Sequence, residues 1–286
     1  MKKYLSLIKF SHTIFAMPFA LIGFCLGIEA VQLDAASMGY KFFLVLFCMV
    51  FARSAAMAFN RYLDNEFDSQ NPRTAVREIP SGKIQPKHAL VFTIINSFLF
   101  ISLCFFINPL CFYLSFIALF VILFYSYTKR FTPLCHLILG IGLSLAPIGA
   151  YLAVTGVFNL IPILFSFTVL CWVSGFDIIY ALQDEEFDKS HHLHSIPAWL
   201  GKRKALLVSS FLHLIAAILV IMIGFQFEGS LFFWMGALVF IGMLVYQHSL
   251  VKPNDLSKVN IAFMTANGIA SVVFATFVMV DIFFHK

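Results

Sequence analysis

Acidic side chains are gathered in two short windows of an otherwise apolar chain. Of its 14 acidic residues, nine lie at positions 64–78 and 177–188. In the first window Asn60, Asp64 and Asp68 are spaced by four residues, and residues at this spacing share one face of an α-helix. The first window therefore predicts a stripe of oxygen-bearing side chains near the end of a helix.

The second window has a similar spacing. Asp177, Asp184 and Asp188 are separated by seven and then four residues, which also places them on one helical face. Tyr180 lies four residues before Asp184 and borders this second stripe. We expect the neighbouring acids that fall off the two stripes to be solvated: Glu66, Glu185 and Glu186.

Stacked carboxylates repel one another in a medium of low dielectric constant, and a divalent cation removes that repulsion. Ligand sets made only of oxygen favour Mg²⁺ or Ca²⁺, and Mg²⁺ is typically bound by one or two carboxylates, water and substrate phosphates. The loops that follow the two windows supply cations: Arg73, Arg77, Lys83, Lys87, Lys189, Lys202, Arg203 and Lys204. Carboxylates, metal and cations together suit a diphosphate ligand.

The elements that must position these side chains are membrane-spanning helices. The chain is 61% hydrophobic and 12% charged, whereas soluble proteins average about 25% charged residues. Apolar runs of about 20 residues are typical of helices that cross a bilayer. We predict an all-α integral membrane protein, with residues 1–286 in a single domain and nine transmembrane helices in one bundle, at about 11–31, 40–60, 89–107, 109–127, 134–154, 160–181, 205–224, 229–249 and 260–283.

Lysine and arginine are concentrated in alternate loops, which predicts the orientation of the helices. The positive-inside rule places the N-terminus and both acidic windows on the cytoplasmic side. The net charge of +5 is explained by this topology and gives no indication of nucleic-acid binding. The six cysteines lie in apolar runs without the spacing of metal ligands, so we expect buried thiols and neither disulfides nor a zinc site.

The two windows also resemble an internal repeat. Residues 64–68 read Asp-Asn-Glu-Phe-Asp, and residues 184–188 read Asp-Glu-Glu-Phe-Asp. An Ile-Pro pair follows each of them at a similar distance, at 79–80 and at 196–197. Because the repeats are four helices apart, they predict two similar half-bundles that face a shared cavity.

Each of these features also has a simpler interpretation. Acidic clusters at helix ends can be solvated caps, although two striped clusters that precede basic loops favour a binding site. Arg53 lies about two turns inside the second predicted helix. We favour a guanidinium that lines a pocket over one that extends to the membrane surface. Tyr125 and Lys129 could line the pocket, or they could belong to an ordinary belt at the membrane interface.

Two stretches of the chain resemble the signatures of a known family. Asn60-x₃-Asp64-x₃-Asp68, with residues 71–74 (Asn-Pro-Arg-Thr) and 79–82 (Ile-Pro-Ser-Gly), resembles the first signature of the UbiA superfamily of intramembrane prenyltransferases. Residues 175–188 and 193–197 (Leu-His-Ser-Ile-Pro) are similar to the second signature in the 4-hydroxybenzoate polyprenyltransferase branch. The resemblance spans nearly the whole chain, because the layout of nine helices also agrees.

The resemblance implies roles for individual residues. The four aspartates of the two motifs would be catalytic: Asp64, Asp68, Asp184 and Asp188. Together with Asn60 they would bind Mg²⁺, partly through diphosphate and water. The residues implied in substrate binding are Asn60, Arg73, Arg77 and Lys129 for the diphosphate, Arg53 for the aromatic acceptor, and Asp177, Tyr180 and Tyr125 around them.

Arg61 departs from the pattern of the superfamily, in which many members carry aspartate directly after the asparagine. Arginine at this position is found in a subgroup that resembles the prenyltransferases of menaquinone biosynthesis by the futalosine route. The expected acceptor is therefore 4-hydroxybenzoate, in respiratory quinone biosynthesis, or alternatively 1,4-dihydroxy-6-naphthoate.

The stripes and the resemblance together predict an Mg²⁺-dependent enzyme of a bacterial inner membrane. It would transfer a polyprenyl group from an allylic polyprenyl diphosphate to an aromatic acid, with its active site facing the cytoplasm and with no protein partner evident. An alternative of another class is a transporter of a divalent cation or an organic anion, since intramembrane carboxylates fit that function too. Transporter sites lie near the bilayer midplane, however, whereas these acids lie at the cytoplasmic ends of helices.

Overall fold

The structure is a computed structural model that describes residues 2–8, 15–31 and 34–284. Its dominant elements are helices joined by short connections. Two short helical turns of other types, Leu182–Asp184 and Ile261–Ala266, adjoin the α-helices. In chain order the α-helices are α1 (Lys2–Leu7), α2 (Met17–Val31), α3 (Ala35–Leu63), α4 (Asn65–Gln70), α5 (Pro86–Ile107), α6 (Pro109–Thr128), α7 (Cys135–Thr155), α8 (Leu160–Ala181), α9 (Glu185–Ser190), α10 (Ile196–Gln226), α11 (Leu231–Leu250) and α12 (Asn267–Phe284).

The predicted all-α membrane fold is confirmed. Within the described ranges, eight helical segments are long and apolar enough to cross a membrane, and one further apolar helix, α2, is shorter. Each of the nine predicted spans coincides with one of these segments. The first four residues of the first predicted span, 11–14, lie outside the described residues. So do Lys9 and Lys286, two of the lysines that bear on the predicted orientation. The predicted cytoplasmic position of the N-terminus stays a prediction.

The largest difference in boundaries concerns α10, which begins at Ile196, whereas the predicted span began at 205. The Ser195 hydroxyl accepts a hydrogen bond from the Ala198 N–H, and a proline occupies the first turn, so the sequence starts a helix here. Gly201 then interrupts the helix with φ 77° and ψ 162°, a conformation that strongly favours glycine. Because of this break and the basic residues after it, the first turn of the helix is not part of an apolar run, and the sequence pattern did not predict it.

The described residues form two compact units, each with its own core. The first unit contains the described part of Met1–Thr13 together with Gly39–Tyr127. In this unit Leu7 of α1 packs in one cluster with Ala58 of α3. A second cluster joins α3 to α5 through Cys48 and Cys104, whose sulfur atoms lie 3.8 Å apart. All six cysteines are free thiols; five of them are buried, as predicted, whereas Cys111 is only partly buried.

The second unit contains the described part of Ile14–Met38 together with Thr128–Lys286. In it α8 packs against both α7 and α10, α2 packs against α7, and α11 packs against α12. Trp172 of α8 is fully buried against Phe19, and its Nε1 donates a 2.9 Å hydrogen bond to Asn267 Oδ1 of α12. Lipid offers no hydrogen-bond partners, so this internal bond both satisfies the indole and ties α8 to α12. The single domain predicted for residues 1–286 stays a prediction.

Candidate functional site

The first acid cluster consists of Asn60, Asp64, Asp68 and Arg77. α3 ends one residue before Asp64, which adopts φ −85° and ψ 4°, and α4 begins one residue after it. Backbone hydrogen bonds from Asp64 to Asn60 (2.9 Å) and from Asp68 to Asp64 (2.7 Å) preserve a nearly helical register across this break. Asn60 Nδ2 also donates to Asp64 Oδ2 over 2.8 Å. The predicted stripe is therefore present, but it crosses a break between two helices.

Asp68 is the buried member of the first acid cluster. Arg77 Nη1 donates to both of its oxygens, over 2.6 Å to Oδ1 and 2.7 Å to Oδ2. Arg61 is also buried, and its Nη1 lies 3.9 Å from Asp68 Oδ2. Thr74 Oγ1 donates to the Asp68 backbone oxygen over 3.0 Å. Two arginines of the chain itself thus lie against a carboxylate that is largely removed from water.

The second acid cluster consists of Asp184, Asp188, Lys129 and Ser195, and it has the same backbone break. α8 ends at Ala181 and a short 3₁₀ turn follows. Asp184 then adopts φ −103° and ψ 4°, and α9 begins at the next residue. The conformations of Asp64 and Asp184 are nearly the same, so the internal repeat of the sequence extends to the backbone.

Asp188 is the more deeply buried aspartate of the second acid cluster, with an exposed fraction of 0%, and Asp184 is buried as well. Lys129 Nζ lies 2.7 Å from its Oδ1, and the Ser195 hydroxyl donates to its Oδ2 over 2.8 Å. Burial by itself lowers the pKa of the Lys129 ammonium, but the Asp188 carboxylate outweighs burial and raises that pKa above its ordinary value. The pair is therefore a charged one, formed by a lysine from the turn after α6.

The expectation for Glu185 was wrong. We expected it to be solvated, yet it is buried, with its Oε1 2.6 Å from Lys189 Nζ and its Oε2 3.8 Å from Lys202 Nζ. The 3₁₀ turn before it has fewer residues per turn than an α-helix, so the helical phase assumed from the sequence does not continue to this position. Glu66 and Glu186 are exposed, as predicted.

Other predicted pocket residues lie within one unit or the other. Arg53 lies in α3, and its buried Nε has no hydrogen-bond partner among the described residues. Tyr125 of α6 lies within electrostatic range of Arg61. The backbone N–H of Arg73 donates a hydrogen bond to Asn71 Oδ1 over 3.0 Å. In the second unit the ring of Tyr180 lies 4.2 Å from that of Phe263, centroid to centroid.

His136 is a residue that the sequence did not single out. Its Nδ1 lies 2.7 Å from Oδ2 of Asp177, the first aspartate of the second predicted stripe. His136 is buried in the first turn of α7, whereas the Asp177 side chain is 22% exposed. A lone histidine in an apolar run carries no signal that separates it from an ordinary core residue. Ser195 was missed for a similar reason, because its contact with Asp188 arises only in the folded chain.

The side chains fit an Mg²⁺ ion that is bound partly by substrate. Among the residues that the structure describes, no three His, Cys, Asp or Glu side chains form a group that could bind a metal ion alone. Asp68 and Asp188 already contact cations of the chain. The amide oxygen of Asn60 and the carboxylate of Asp64 in the first unit are hard donors, and so is the carboxylate of Asp184 in the second. Mg²⁺ prefers donors of this type when phosphate and water complete its coordination.

Comparison with known proteins places this geometry in a family. A sequence model described as the UbiA prenyltransferase family matches residues 16–269. A 4-hydroxybenzoate octaprenyltransferase of Shewanella loihica is 30% identical over 264 residues, which cover 90% of this chain and 90% of that protein. A 4-hydroxybenzoate octaprenyltransferase of Aeromonas hydrophila is 29% identical over 224 residues, which cover 78% of this chain and 77% of that protein.

Solved structures of similar fold agree with this result. The apo structure of a UbiA homolog from Aeropyrum pernix K1 matches with a TM-score of 0.84 and 28% identity, covering 94% of this chain and 98% of that one. A UbiA homolog from Archaeoglobus fulgidus, in a structure bound to GPP and Mg²⁺, matches with a TM-score of 0.77 and 21% identity, covering 98% of this chain and 99% of that one. The second likeness concerns the fold alone.

Proposed function

The chain belongs to the UbiA prenyltransferase family, and on that premise we propose that it transfers a polyprenyl group from an allylic polyprenyl diphosphate to the ring of 4-hydroxybenzoate. One observation carries the proposal. Each compact unit contains an aspartate at a helix break, followed by a buried aspartate that is ion-paired with a cation of the chain. The relatives named 4-hydroxybenzoate octaprenyltransferases support the same reaction.

Metal binding would fall to the aspartates. Asn60 and Asp64 in the first unit, and Asp184 in the second, would each bind Mg²⁺ together with phosphate oxygens and water. A bound Mg²⁺ supplies Lewis acidity, which stabilises the charge on a leaving diphosphate. Asp68 and Asp188 would also bind the metal once Arg77 and Lys129, the cations that now pair with them, bind the substrate instead.

Those cations would bind the diphosphate. Arg77 and Lys129, assisted by Arg73, would donate hydrogen bonds to phosphate oxygens and stabilise the negative charge that develops as the C–O bond breaks. Exchange of partners keeps every buried charge compensated, because each aspartate and each cation is paired both before and after the diphosphate binds. The allylic cation that remains would react in a water-poor environment, which limits its hydrolysis.

The acceptor acid would be bound by Arg53. Its buried Nε has no hydrogen-bond partner among the described residues, and a guanidinium binds a carboxylate through two parallel hydrogen bonds. Tyr125 in the first unit and Tyr180 in the second would each contact a substrate.

A second candidate acceptor, 1,4-dihydroxy-6-naphthoate, is favoured by Arg61. This arginine stands where many family members carry aspartate, and it is buried beside Asp68. An extra buried cation changes the net charge of the first acid cluster. Prenyl transfer to the two acceptors must therefore be compared directly. The chain is an integral membrane protein, and we place it in a bacterial inner membrane with the acid clusters on the cytoplasmic side.

A prenyl-transfer assay tests this function. Membranes containing the protein are incubated with Mg²⁺, a labelled allylic diphosphate and either acceptor, and the prenylated product is measured. We expect product with one acceptor and none after the metal is removed with a chelator. Uptake of an organic anion or a divalent cation into vesicles, without any prenylated product, would instead support a transporter.

Single substitutions test the role of the acid clusters. We expect Asp64→Ala and Asp184→Ala each to lower turnover at least about a hundredfold, because each removes a ligand beside the leaving diphosphate. Membrane insertion and the elution profile in detergent should stay unchanged. The matched controls are Glu66→Ala and Glu186→Ala, which remove exposed acids close by in the chain and should retain activity. Full activity in either aspartate variant would contradict the proposal.

A further inference from the structure

The His136–Asp177 pair lies outside both acid clusters and connects α7 to α8. The Ile196 N–H points to His136 Nε2 over 3.4 Å, and a backbone N–H can only donate. The imidazole thus lies between the Ile196 N–H and Asp177, with its Nδ1 2.7 Å from Asp177 Oδ2. In this arrangement one oxygen of Asp177 is oriented by the imidazole.

Close packing of α7 on α8 fixes the pair. Gly140 lies one turn after His136, and a Cβ atom at this position would lie 2.6 Å from the Leu170 carbonyl oxygen. It would also collide with the hydroxyl of Ser174, which lies three residues before Asp177. Only glycine allows the two helices to approach this closely without displacement, and this approach brings the imidazole within hydrogen-bond distance of the carboxylate.

One short segment joins the pair to the second acid cluster. The His194 N–H donates to the Lys129 carbonyl oxygen over 2.7 Å, and the Ser195 hydroxyl donates to Asp188 Oδ2 over 2.8 Å. The next residue, Ile196, donates to His136. Three consecutive residues thus fix Lys129, Asp188 and His136 relative to one another.

The open end of the pair is Asp177. Its side chain is 22% exposed, whereas His136 is buried and the neighbours Phe176 and Ile178 on α8 are buried too. Oδ1 of Asp177 has no hydrogen-bond donor among the described residues. A carboxyl group with one oriented oxygen and one accessible oxygen has the geometry of a general base.

We propose that Asp177 is the proton acceptor of the transfer reaction and that His136 is its positioning residue. This inference rests on the proposed function. The allylic C–O bond breaks and diphosphate leaves with the electron pair, after which a ring carbon of the acceptor forms the new C–C bond. The proton on that ring carbon passes to Asp177 Oδ1, the C–H electron pair restores the aromatic ring, and Asp177 later releases the proton to water.

Separate measurement of the two half-reactions tests the proposal. Diphosphate release reports ionisation, and prenylated acceptor reports coupling and proton removal. In Asp177→Asn, which preserves the shape and can still accept a hydrogen bond from His136, we expect diphosphate release within several-fold of the unaltered chain. Coupled product should fall at least about a hundredfold, the typical contribution of a general base, and the prenyl group should appear as the alcohol. His136→Gln should show an intermediate loss of coupling.

An isotope effect separates proton transfer from a merely structural role. With acceptor deuterated at the ring carbon that forms the new bond, His136→Gln should show a larger deuterium isotope effect on coupling than the unaltered chain, because proton removal has become slower. The matched control is Ser209→Ala. It removes a buried hydrogen bond from α10 to the Gly175 carbonyl of α8, the helix that carries Asp177, and it should leave the isotope effect unchanged.

The outcomes are distinct. If the unaltered chain prenylates neither acceptor, the proposed function fails and the proton acceptor fails with it. If the unaltered chain is active but Asp177→Asn keeps its coupling, or loses diphosphate release and coupling in equal proportion, only the proton-acceptor role is overturned. An unchanged isotope effect in a folded His136→Gln protein would also overturn it.

Discussion

The two acid clusters have the same backbone but obtain their counter-ions differently. In both, an aspartate at a helix break with ψ 4° precedes a buried aspartate. In the first acid cluster the counter-ion of Asp68 is Arg77, nine residues further along the chain, in the loop after α4. In the second, the counter-ion of Asp188 is Lys129, which lies 59 residues earlier in the chain, in the turn after α6. One cluster can assemble from a local segment, whereas the other needs tertiary structure.

The buried aspartate of the second acid cluster is also the less exposed of the two. Asp188 is 0% exposed and Asp68 is 6% exposed, and Asp68 has a second cation, Arg61, within 3.9 Å. A charge that loses its partner is costly in proportion to its burial, because neither water nor another ion can replace the lost interaction. The second acid cluster should therefore depend on its cation more strongly than the first.

The largest effect on stability is expected for Lys129→Met. It leaves Asp188 as an uncompensated charge with no access to water, and we expect the free energy of unfolding in detergent to fall by about 3–5 kcal/mol. The double variant Lys129→Met/Asp188→Asn removes both charges and should recover a large part of this loss. The comparison fails if Lys129→Met is no more destabilising than Arg77→Met in the same unfolding assay.

A smaller loss, about 1–3 kcal/mol, is expected for Arg77→Met. Arg61 still compensates part of the Asp68 charge, and water reaches the site because the Arg77 side chain is 20% exposed. Lys83→Met removes an exposed cation from the same loop and should change the free energy of unfolding by no more than about 0.5 kcal/mol. A loss for Arg77→Met above that for Lys129→Met would reverse the ranking of the two clusters.

The smallest effects on stability are expected when the hydroxyl groups of Ser195 and Thr74 are removed, one from each side of the comparison. Ser195→Ala removes both a hydrogen bond to Asp188 and the cap of α10, so we expect a loss of about 1–2 kcal/mol. Thr74→Val removes one hydrogen bond to the Asp68 backbone oxygen, for which we expect about 1 kcal/mol. Equal thermal shifts for the two variants would show that capping contributes nothing here.

The sequence could predict what depends on local pattern. The nine apolar runs predicted the membrane helices because a bilayer requires a minimum length of apolar helix, and the spacing of Asn60, Asp64 and Asp68 predicted their common face. It could not predict the partner of Asp188, because Lys129 lies 59 residues earlier in the chain. Glu185 was misplaced because a 3₁₀ turn changes the helical phase, and His136 was missed because only the approach at Gly140 makes it a partner of Asp177.

The contacts of His194, Ser195 and Ile196 also restrict how the length of the chain can change. Each of these consecutive residues meets a different fixed point, so one residue gained or lost between Leu193 and Pro197 would move all three contacts out of register together. Two of the three contacts use only the backbone N–H and accept almost any side chain. In this segment, substitutions are therefore far easier to accommodate than insertions or deletions.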